Sequence, residues 1–357
     1  MTITFIIGNG FDSNLNLKTK YTEFYPYYLE KCPDTKIAKS IMQNQSEEDE
    51  KEWNYWSDLE LGLGEYLANI NSDEEVEKFL DEKAELEACL SDYLALESEK
   101  INGDMYQKIS EEFKKNLLSL NTRLTEVEKN HYAQRLFEKE DLNYSFITFN
   151  YTNVLDIITG NFSSSINTRN YSNCVCRDYI KSPLHVHGDL KENSLILGIN
   201  DVSQIRNEKL RTNRNLIEYL IKENINRASG SLRMKKCMDL INSSRYICLY
   251  GLSIGQTDLL WWKKIVEWLR ENAERRLIYC VYKMPPEIVK SQTQQNRLSD
   301  KYRYEFLEKC HVNDSDREKL RKQIVILYNT DVFTYSIKAP DSGNDESEKK
   351  LVTNGQT

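Results

Sequence analysis

The chain has 357 residues, of which 39% are apolar and 29% are charged, and its formal net charge is −8. This length suits one large domain or two modest ones, and the acidic balance excludes a general attraction for nucleic acid, so no nucleic-acid partner is expected. No stretch approaches the ~20 apolar residues of a membrane helix, so no membrane partner is expected. Eight scattered cysteines without a leader sequence predict a cytoplasmic protein with reduced thiols.

The first strand is predicted at residues 2–7, where an apolar run stops at a glycine. A helix with aromatic residues at helical spacing follows, and residues 35–140 then repeat apolar residues at intervals of three and four. A crossover between parallel strands needs only one helix, so we interpret residues 35–140 as a large helical insertion after the first strand–helix unit.

Strands alternate with helices in the rest of the chain, although residues 160–183 show no clear period. This alternation predicts an α/β fold with a mostly parallel, Rossmann-like sheet that carries helices on both faces. Its core would comprise residues 1–34 and 141–338, and the polar residues 339–357 would form a disordered tail. The predicted strands are 144–149, 184–187, 195–199, 246–250, 277–282 and 324–328, and the predicted helices are 153–158, 216–238 and 258–269.

Four short polar motifs each follow an apolar run that is predicted to be a strand. Ligands bind beyond the carboxyl ends of the strands in open α/β sheets, so four such motifs predict one shared site. The candidate residues are Gly8, Asn9, Gly10 and Asp12; Thr148, Asn150 and Tyr151; His187 and Gly188; and Gly251, Ser253 and Asp258.

The first motif places two glycines directly after the first strand. Glycine lets the backbone approach a ligand, and free amides at a helix N-terminus can bind phosphate. A dinucleotide fingerprint has a third glycine, where this chain has Ser13, so a tight structural turn remains an alternative. An acid repels phosphate, so Asp12 is expected to hold a sugar hydroxyl or the loop itself.

The second and third motifs carry the side chains best suited to catalysis. Asn150 could cap the next helix, or its amide could fix a ribose hydroxyl or an attacking water. His185 and His187 alternate along a predicted strand and would point to the same face, but a third ligand at matching spacing is missing, so no metal is predicted. His187 beside Gly188 suits a base at a pocket wall, and a structural histidine is the alternative.

The fourth motif matches the spacing of a serine-hydrolase nucleophile elbow, with Ser253 between Gly251 and Gly255. That fold orders serine, acid and then histidine, and the only downstream histidine is His311 in a charged stretch. The serine-hydrolase interpretation is therefore disfavoured. Residues 203–236 hold nine Lys/Arg and three Asp/Glu, which indicates a phosphate-bearing ligand, a partner or a plain surface patch.

The motifs in this order resemble those of the AbiH bacteriophage abortive-infection family, from residue 3 to about residue 330. The order is also similar to that of sirtuin-like NAD-binding domains, some of which hydrolyse NAD in bacterial defence. The paired cysteines of the sirtuin deacylases are absent, so deacylation is excluded. The resemblance is carried by residues 8–12, 17–19, Tyr21, Trp56, Glu60, 149–152, His187, Gly188, 197–201, 251–253 and Asp258.

The resemblance implies a phage-defence effector that binds NAD and hydrolyses its nicotinamide–ribose bond, with NAD as substrate and no prosthetic group. Asn150 would orient ribose or water, and His187 would be the base. The residue 8–12 loop would surround the dinucleotide, and Gly251 and Ser253 would close the far side. The alternatives are a nucleotide-binding sensor without catalysis and, third, a nucleic-acid-cleaving enzyme. The helical insertion would mediate homo-oligomerisation or bind a defence partner.

Overall fold

A computed structural model of the chain describes residues 1–37, 39, 59–136, 139–192, 194–230, 232–282, 291–328 and 332–340. Trp56 and residues 341–357 of the predicted tail lie outside the described residues. The strands are β1 Thr2–Ile7, β2 Leu142–Thr148, β3 Asn167–Asn170, β4 Val175–Ile180, β5 Leu184–His185, β6 Tyr246–Tyr250, β7 Arg276–Val281 and β8 Ile324–Tyr328.

The described strands form one sheet in the order β3-β4-β2-β1-β6-β7-β8, with β5 paired to β2. Every pairing is parallel except that between β3 and β4. The prediction of a mixed α/β fold with a mostly parallel sheet is therefore confirmed. The chain builds outward from β1 to β2 and β4, and it then crosses to the other side of β1 to lay down β6, β7 and β8. The order thus reverses between β1 and β6.

Helices cover both faces of the sheet. Along β1, Ile3, Phe5 and Ile7 belong to one apolar cluster and Ile6 belongs to another, because successive side chains of a strand point to opposite faces. The helices are α1 Gly10–Asn14, α2 Tyr21–Lys31, α3 Leu59–Tyr66, α4 Asp73–Ser98, α5 Gly103–Leu118, α6 Glu126–Leu136, α7 Val154–Gly160, α8 Arg214–Leu220, α9 Lys222–Ala228, α10 Arg233–Ser243, α11 Leu259–Glu271, α12 Gln292–Lys309 and α13 Asp314–Leu320.

The described helices of the segment 35–140 pack in two different places. Helices α5 and α6, together with α7 beyond this segment, contribute to the cluster on one face of the sheet, opposite α10 to α13. Helices α3 and α4 instead form a third cluster with α2 and α8, into which Tyr151 and Leu197 also pack. The side chains of Ser72 and Asn102 cap the starts of α4 and α5 by accepting hydrogen bonds from backbone amides.

Two local predictions are wrong, and one hairpin was not predicted. Residues 195–199 form no strand, and only Ile199 makes a β-bridge, because their apolar side chains pack among the helices beside the sheet. Residues 160–183, for which no element was predicted, contain the β3–β4 hairpin, and neither of its strands has the apolar run of a buried strand. The basic segment 216–238 is broken by extended backbone at Ile221 and by the left-handed φ of 64° at Gly230.

Residue 339, the first of the predicted disordered tail, belongs to the folded structure. Ala339 is buried, and its amide donates a hydrogen bond to the carbonyl oxygen of Leu15 at 2.8 Å. The amide group of Asn16 in turn donates to the carbonyl oxygen of Ala339. The backbone at residue 339 is therefore fixed against the loop that follows α1.

Candidate functional site

A cavity of about 780 Å³ lies at the carboxyl ends of β1, β2 and β6, where the strand order reverses. Crevices at such a position are the usual ligand sites of open α/β sheets. All four strand-end motifs contribute to its wall, as the sequence predicted they would. The predicted site residues that line it are Gly8, Asn9, Gly10, Asp12, Asn150, Tyr151, His187, Gly251, Ser253 and Asp258.

Two glycine-containing loops pack directly against each other in this wall. The amide of Gly8 donates to the carbonyl oxygen of Tyr250, and the amide of Gly10 donates to that of Gly251. A Cβ atom on Gly10 would lie 2.5 Å from the Cα atom of Gly251. Gly251 itself has a φ of 65°, in the left-handed region that favours glycine. The glycines are therefore required for loop-to-loop contact.

This contact corrects one prediction about the first motif. The amides of Gly8 and Gly10 were predicted to be free for phosphate, but both are used in backbone hydrogen bonds, as is that of Phe11. Helix α1, which begins at Gly10, has only five residues. The loop lines the cavity, but these three amides do not form a phosphate cradle.

Asp12 is a fully buried carboxylate in the wall of the cavity. Its Oδ2 atom accepts a hydrogen bond from the hydroxyl of Thr152 at 2.7 Å, and the side chain of Asn150 also interacts with the carboxylate, but Oδ1 makes no well-aligned hydrogen bond among the described residues. Burial raises the pKa of Asp12 to about 6, against the opposing effects of its hydrogen bonds and of the charge of His185. The Oδ1 atom can accept a hydrogen bond from a ligand hydroxyl.

His187 is buried in another part of the wall, beside Asp258. Its Nε2 atom lies 3.0 Å from Asp258 Oδ1, and within the described part of the chain neither ring nitrogen makes a well-aligned hydrogen bond. Burial and the charge of Lys222 lower the pKa of His187, although Asp258 acts in the opposite direction. The imidazole is therefore neutral at pH 7 and can accept a proton.

A buried lysine joins this histidine to a second carboxylate. Lys222 Nζ lies 2.5 Å from Glu60 Oε2 and 3.0 Å from the same Oδ1 atom of Asp258. Burial opposes the charge of Lys222, but the two carboxylates raise its pKa, so it stays protonated. Although burial acts in the opposite direction, Lys222 and His187 hold the pKa of Asp258 well below its usual range. The result is a continuous row of Glu60, Lys222, Asp258 and His187.

The profile of the family described as bacteriophage abortive infection AbiH matches residues 4–280 of the chain. This match covers most of the sequence and includes all four strand-end motifs.

The chain belongs to the AbiH family.

Membership of the AbiH family supports a role in bacteriophage abortive infection. A search of curated proteins found no match to the chain. In the described part of this AbiH protein, the helices are all too short or too polar to span a membrane.

Two predicted site residues of the AbiH chain do not line the cavity. The hydroxyl oxygen of Thr148 accepts a hydrogen bond from the amide of Asn150 at 3.1 Å. Gly188 has a φ of 80°, and a Cβ atom there would lie 1.6 Å from the carbonyl oxygen of Ser194. Both residues therefore shape the loops that carry Asn150 and His187.

The two histidines of the third motif contact different partners, and the prediction that both lie on one strand and point to the same face is wrong. Strand β5 ends at His185, so the strand alternation does not extend to His187. His185 Nε2 lies 2.7 Å from Asp156 Oδ2, and its Nδ1 lies 3.1 Å from the carbonyl oxygen of Asn150. Burial opposes the charge of His185, but Asp156 raises its pKa. Across the described residues, no three His, Cys, Asp or Glu side chains are grouped closely enough to hold a metal ion.

The geometry around Ser253 also differs from that of a serine hydrolase. Strand β6 ends at Tyr250 and α11 begins only at Leu259, so Ser253 does not sit on a sharp strand-to-helix turn. Ser253 is exposed, and the histidine in the same cavity is His187 rather than the downstream His311.

Sequence reasoning gave no role to three important residues of the AbiH site. Thr152 belongs to the second motif, and its hydroxyl could have been identified as a partner for a nearby acid. Glu60 was part of the family resemblance but carried no chemical role. Lys222 lies in the basic segment, where nothing in the local sequence distinguishes it from exposed lysines, yet it is only 7% exposed.

Proposed function

We propose that this AbiH protein is a phage-defence effector that binds NAD and hydrolyses its nicotinamide–ribose bond. The observation that carries the proposal is the neutral imidazole of His187, with Nε2 beside Asp258 and Nδ1 without a partner among the described residues, in a cavity at the reversal point of the sheet. Numbered among themselves in chain order, the mutually parallel strands β1, β2, β4, β6, β7 and β8 have the sheet order 3-2-1-4-5-6. This is the order of Rossmann folds that bind dinucleotides, and it supports the sirtuin-like interpretation of the core.

The polar groups of the wall suit the parts of a dinucleotide. The Oδ1 atom of Asp12 would accept a hydrogen bond from a ribose hydroxyl. Asn150 would orient the nicotinamide ribose or the attacking water from the end of β2. Because the amides of Gly8 and Gly10 are engaged, the diphosphate requires another partner, and Lys20 is a cation that lines the cavity.

The reaction requires little covalent chemistry from the protein. The C1′–N bond breaks, the electron pair leaves with nicotinamide, and an oxocarbenium-like ribose accepts a water molecule. His187 takes the proton from that water, so NAD⁺ and water give nicotinamide, ADP-ribose and one proton. Asp258 beside the ring would stabilise the imidazolium that forms, as a carboxylate next to a catalytic histidine does.

Release of nicotinamide from NAD by the purified protein tests the proposal. His187→Asn should abolish release while the protein remains folded, because asparagine cannot act as a base. His311→Asn is the matched control, since His311 is exposed outside the cavity and its φ of 58° is one that asparagine tolerates.

The same samples separate hydrolysis from the alternative of a sensor. Thermal stabilisation by NAD without turnover, both in the purified protein and in extracts of phage-infected cells, would exclude hydrolysis and favour the sensor. If NAD caused neither stabilisation nor turnover, NAD would be excluded as the ligand. Loss of phage protection in His187→Asn cells, with protection retained in His311→Asn cells, would connect the site to defence.

A further inference from the structure

Lys222 lies behind the wall of the cavity and does not line it, whereas three residues that it contacts do. Its Nζ atom approaches Glu60 Oε2 of α3, Asp258 Oδ1 and, at 3.3 Å, the carbonyl oxygen of Thr257. All three oxygens are acceptors, and the ammonium group has three protons. The lysine is therefore saturated by its own contacts and fixes the carboxylate of Asp258 in one position.

The contact of Asp258 with His187 determines which ring nitrogen carries the proton. An ionised carboxylate can only accept hydrogen bonds, so an unprotonated nitrogen 3.0 Å from Oδ1 would place its lone pair beside a negative charge. Nε2 of the neutral ring must therefore hold the proton. The lone pair then resides on Nδ1, which has no hydrogen-bond partner among the described residues.

We propose that Lys222 is a positioning residue that keeps Asp258 ionised and so fixes His187 as the Nε2–H tautomer, with Nδ1 as the basic atom. The inference rests on the proposed function only in assigning a base to the reaction. The tautomer itself is a property of the protein without substrate.

The charges around His187 come from several elements. Asp258 precedes α11, Lys222 begins α9, and Arg233 begins α10; Lys222 and Arg233 both lower the pKa of the histidine. Two aromatic rings also lie beside it: the ring of Phe149 lies 5.2 Å and that of Tyr151 lies 6.3 Å from the imidazole, between centroids. The hydroxyl of Tyr151 donates to the carbonyl oxygen of Ile196. Asp258 is thus the one carboxylate in contact with the ring among the described residues.

A purely structural role for Lys222 must be distinguished from a role in fixing the tautomer of His187. The lysine also connects α3 to the loop before α11, so its removal would lower stability whatever it does to His187. The measurement must therefore report on the ring itself. The chain has four histidines, so ¹⁵N-histidine spectra can be assigned with the His187→Asn and His311→Asn variants.

The wild-type protein should show His187 as the Nε2–H tautomer. In Lys222→Met the cation that opposes protonation is gone and Asp258 is no longer held, so the tautomer should become mixed and the titration should shift to higher pH. Glu60→Gln is the matched variant, because it removes a carboxylate of the row but leaves the Lys222–Asp258 pair, and it should keep the wild-type tautomer. If Lys222→Met does not fold, the double variant Lys222→Met/Glu60→Gln removes one charge of each sign and should show the same change.

An unchanged tautomer and titration of His187 in the folded lysine variant would overturn the proposal. So would an Nδ1–H ring in the wild-type protein. These outcomes do not depend on turnover, so they are distinct from failure of the proposed function. If NAD is hydrolysed, Asp258→Asn, whose amide can donate to Nε2 and reverse the tautomer, should lower kcat by about 10²- to 10⁴-fold, the usual contribution of a positioned base.

Discussion

Replacement of Asp12 by asparagine should remove a pH dependence of stability that this single buried carboxylate creates. Burial raises the pKa of Asp12 from its ordinary value of 3.8 to about 6 in the folded protein. The folded state therefore binds the proton more tightly than the unfolded chain. The stability that this group contributes is fully present below pH 3.8 and is lost as the pH rises through about 6.

The size of the change in unfolding free energy follows from the shift in the pKa of Asp12. A difference of about two pKa units corresponds to about 3 kcal/mol of destabilisation at neutral pH. Asp12 is completely buried, so solvent screening does not reduce this value. Asparagine is uncharged and keeps an oxygen that can accept the hydrogen bond from Thr152. The difference in unfolding free energy between Asp12→Asn and wild type should therefore rise by about 2 kcal/mol from about pH 4.5 to about pH 7.5.

Urea unfolding of both proteins across this pH range measures the difference. Asp92→Asn on the exposed face of α4 serves as the control for the loss of one negative charge. Parallel pH curves for wild type and Asp12→Asn would show that the buried carboxylate does not titrate as argued. If Oδ1 also accepts a ribose hydroxyl, Asp12→Asn should weaken NAD binding while it stabilises the fold, as is common for site residues.

Gly251→Ala should lower the free energy of unfolding by about 2 kcal/mol or more, because the left-handed backbone and the close approach of Gly10 both oppose a Cβ atom. Gly160→Ala, where a Cβ atom meets nothing within 4 Å, should cost far less, and equal losses would contradict the argument. The pair of His185 and Asp156 stabilises the protein below pH 6.5, and this contribution is lost as the pH rises through the raised pKa of the histidine. His185→Gln should therefore cost more stability at about pH 6 than at about pH 8.5, and equal costs at the two values would refute it.

Strands β1, β6 and β8 could be predicted from the sequence because they are buried on both faces. The predictions for residues 2–7, 246–250 and 324–328 match β1, β6 and β8 to the residue. An unbroken apolar run is typical of such strands. Strands β3 and β4 could not be found in this way, because their side chains alternate between solvent and protein. The apolar residues 195–199 were wrongly predicted to be a strand, because their apolar run is buried among helices and not within the sheet.

The sequence also predicted that the four motifs meet, because the carboxyl ends of neighbouring parallel strands lie on one edge of a sheet. It could not predict which hydrogen bonds the backbone of those motifs makes. The amides of Gly8 and Gly10 are hydrogen bonded to a loop that lies about 240 positions away in the chain, and only that contact shows that they are not free.

Apolar runs and the polar residues that end them are local, so the sequence alone determined the central strands of the sheet and the edge at which the site lies. Charge environments are not local. Lys222 lies 162 positions from Glu60 and 36 from Asp258, and it is a buried ion only because the fold brings these three residues together. The tertiary structure alone decided the neutral state of His187 and the raised pKa of Asp12, because burial and neighbouring charges set both.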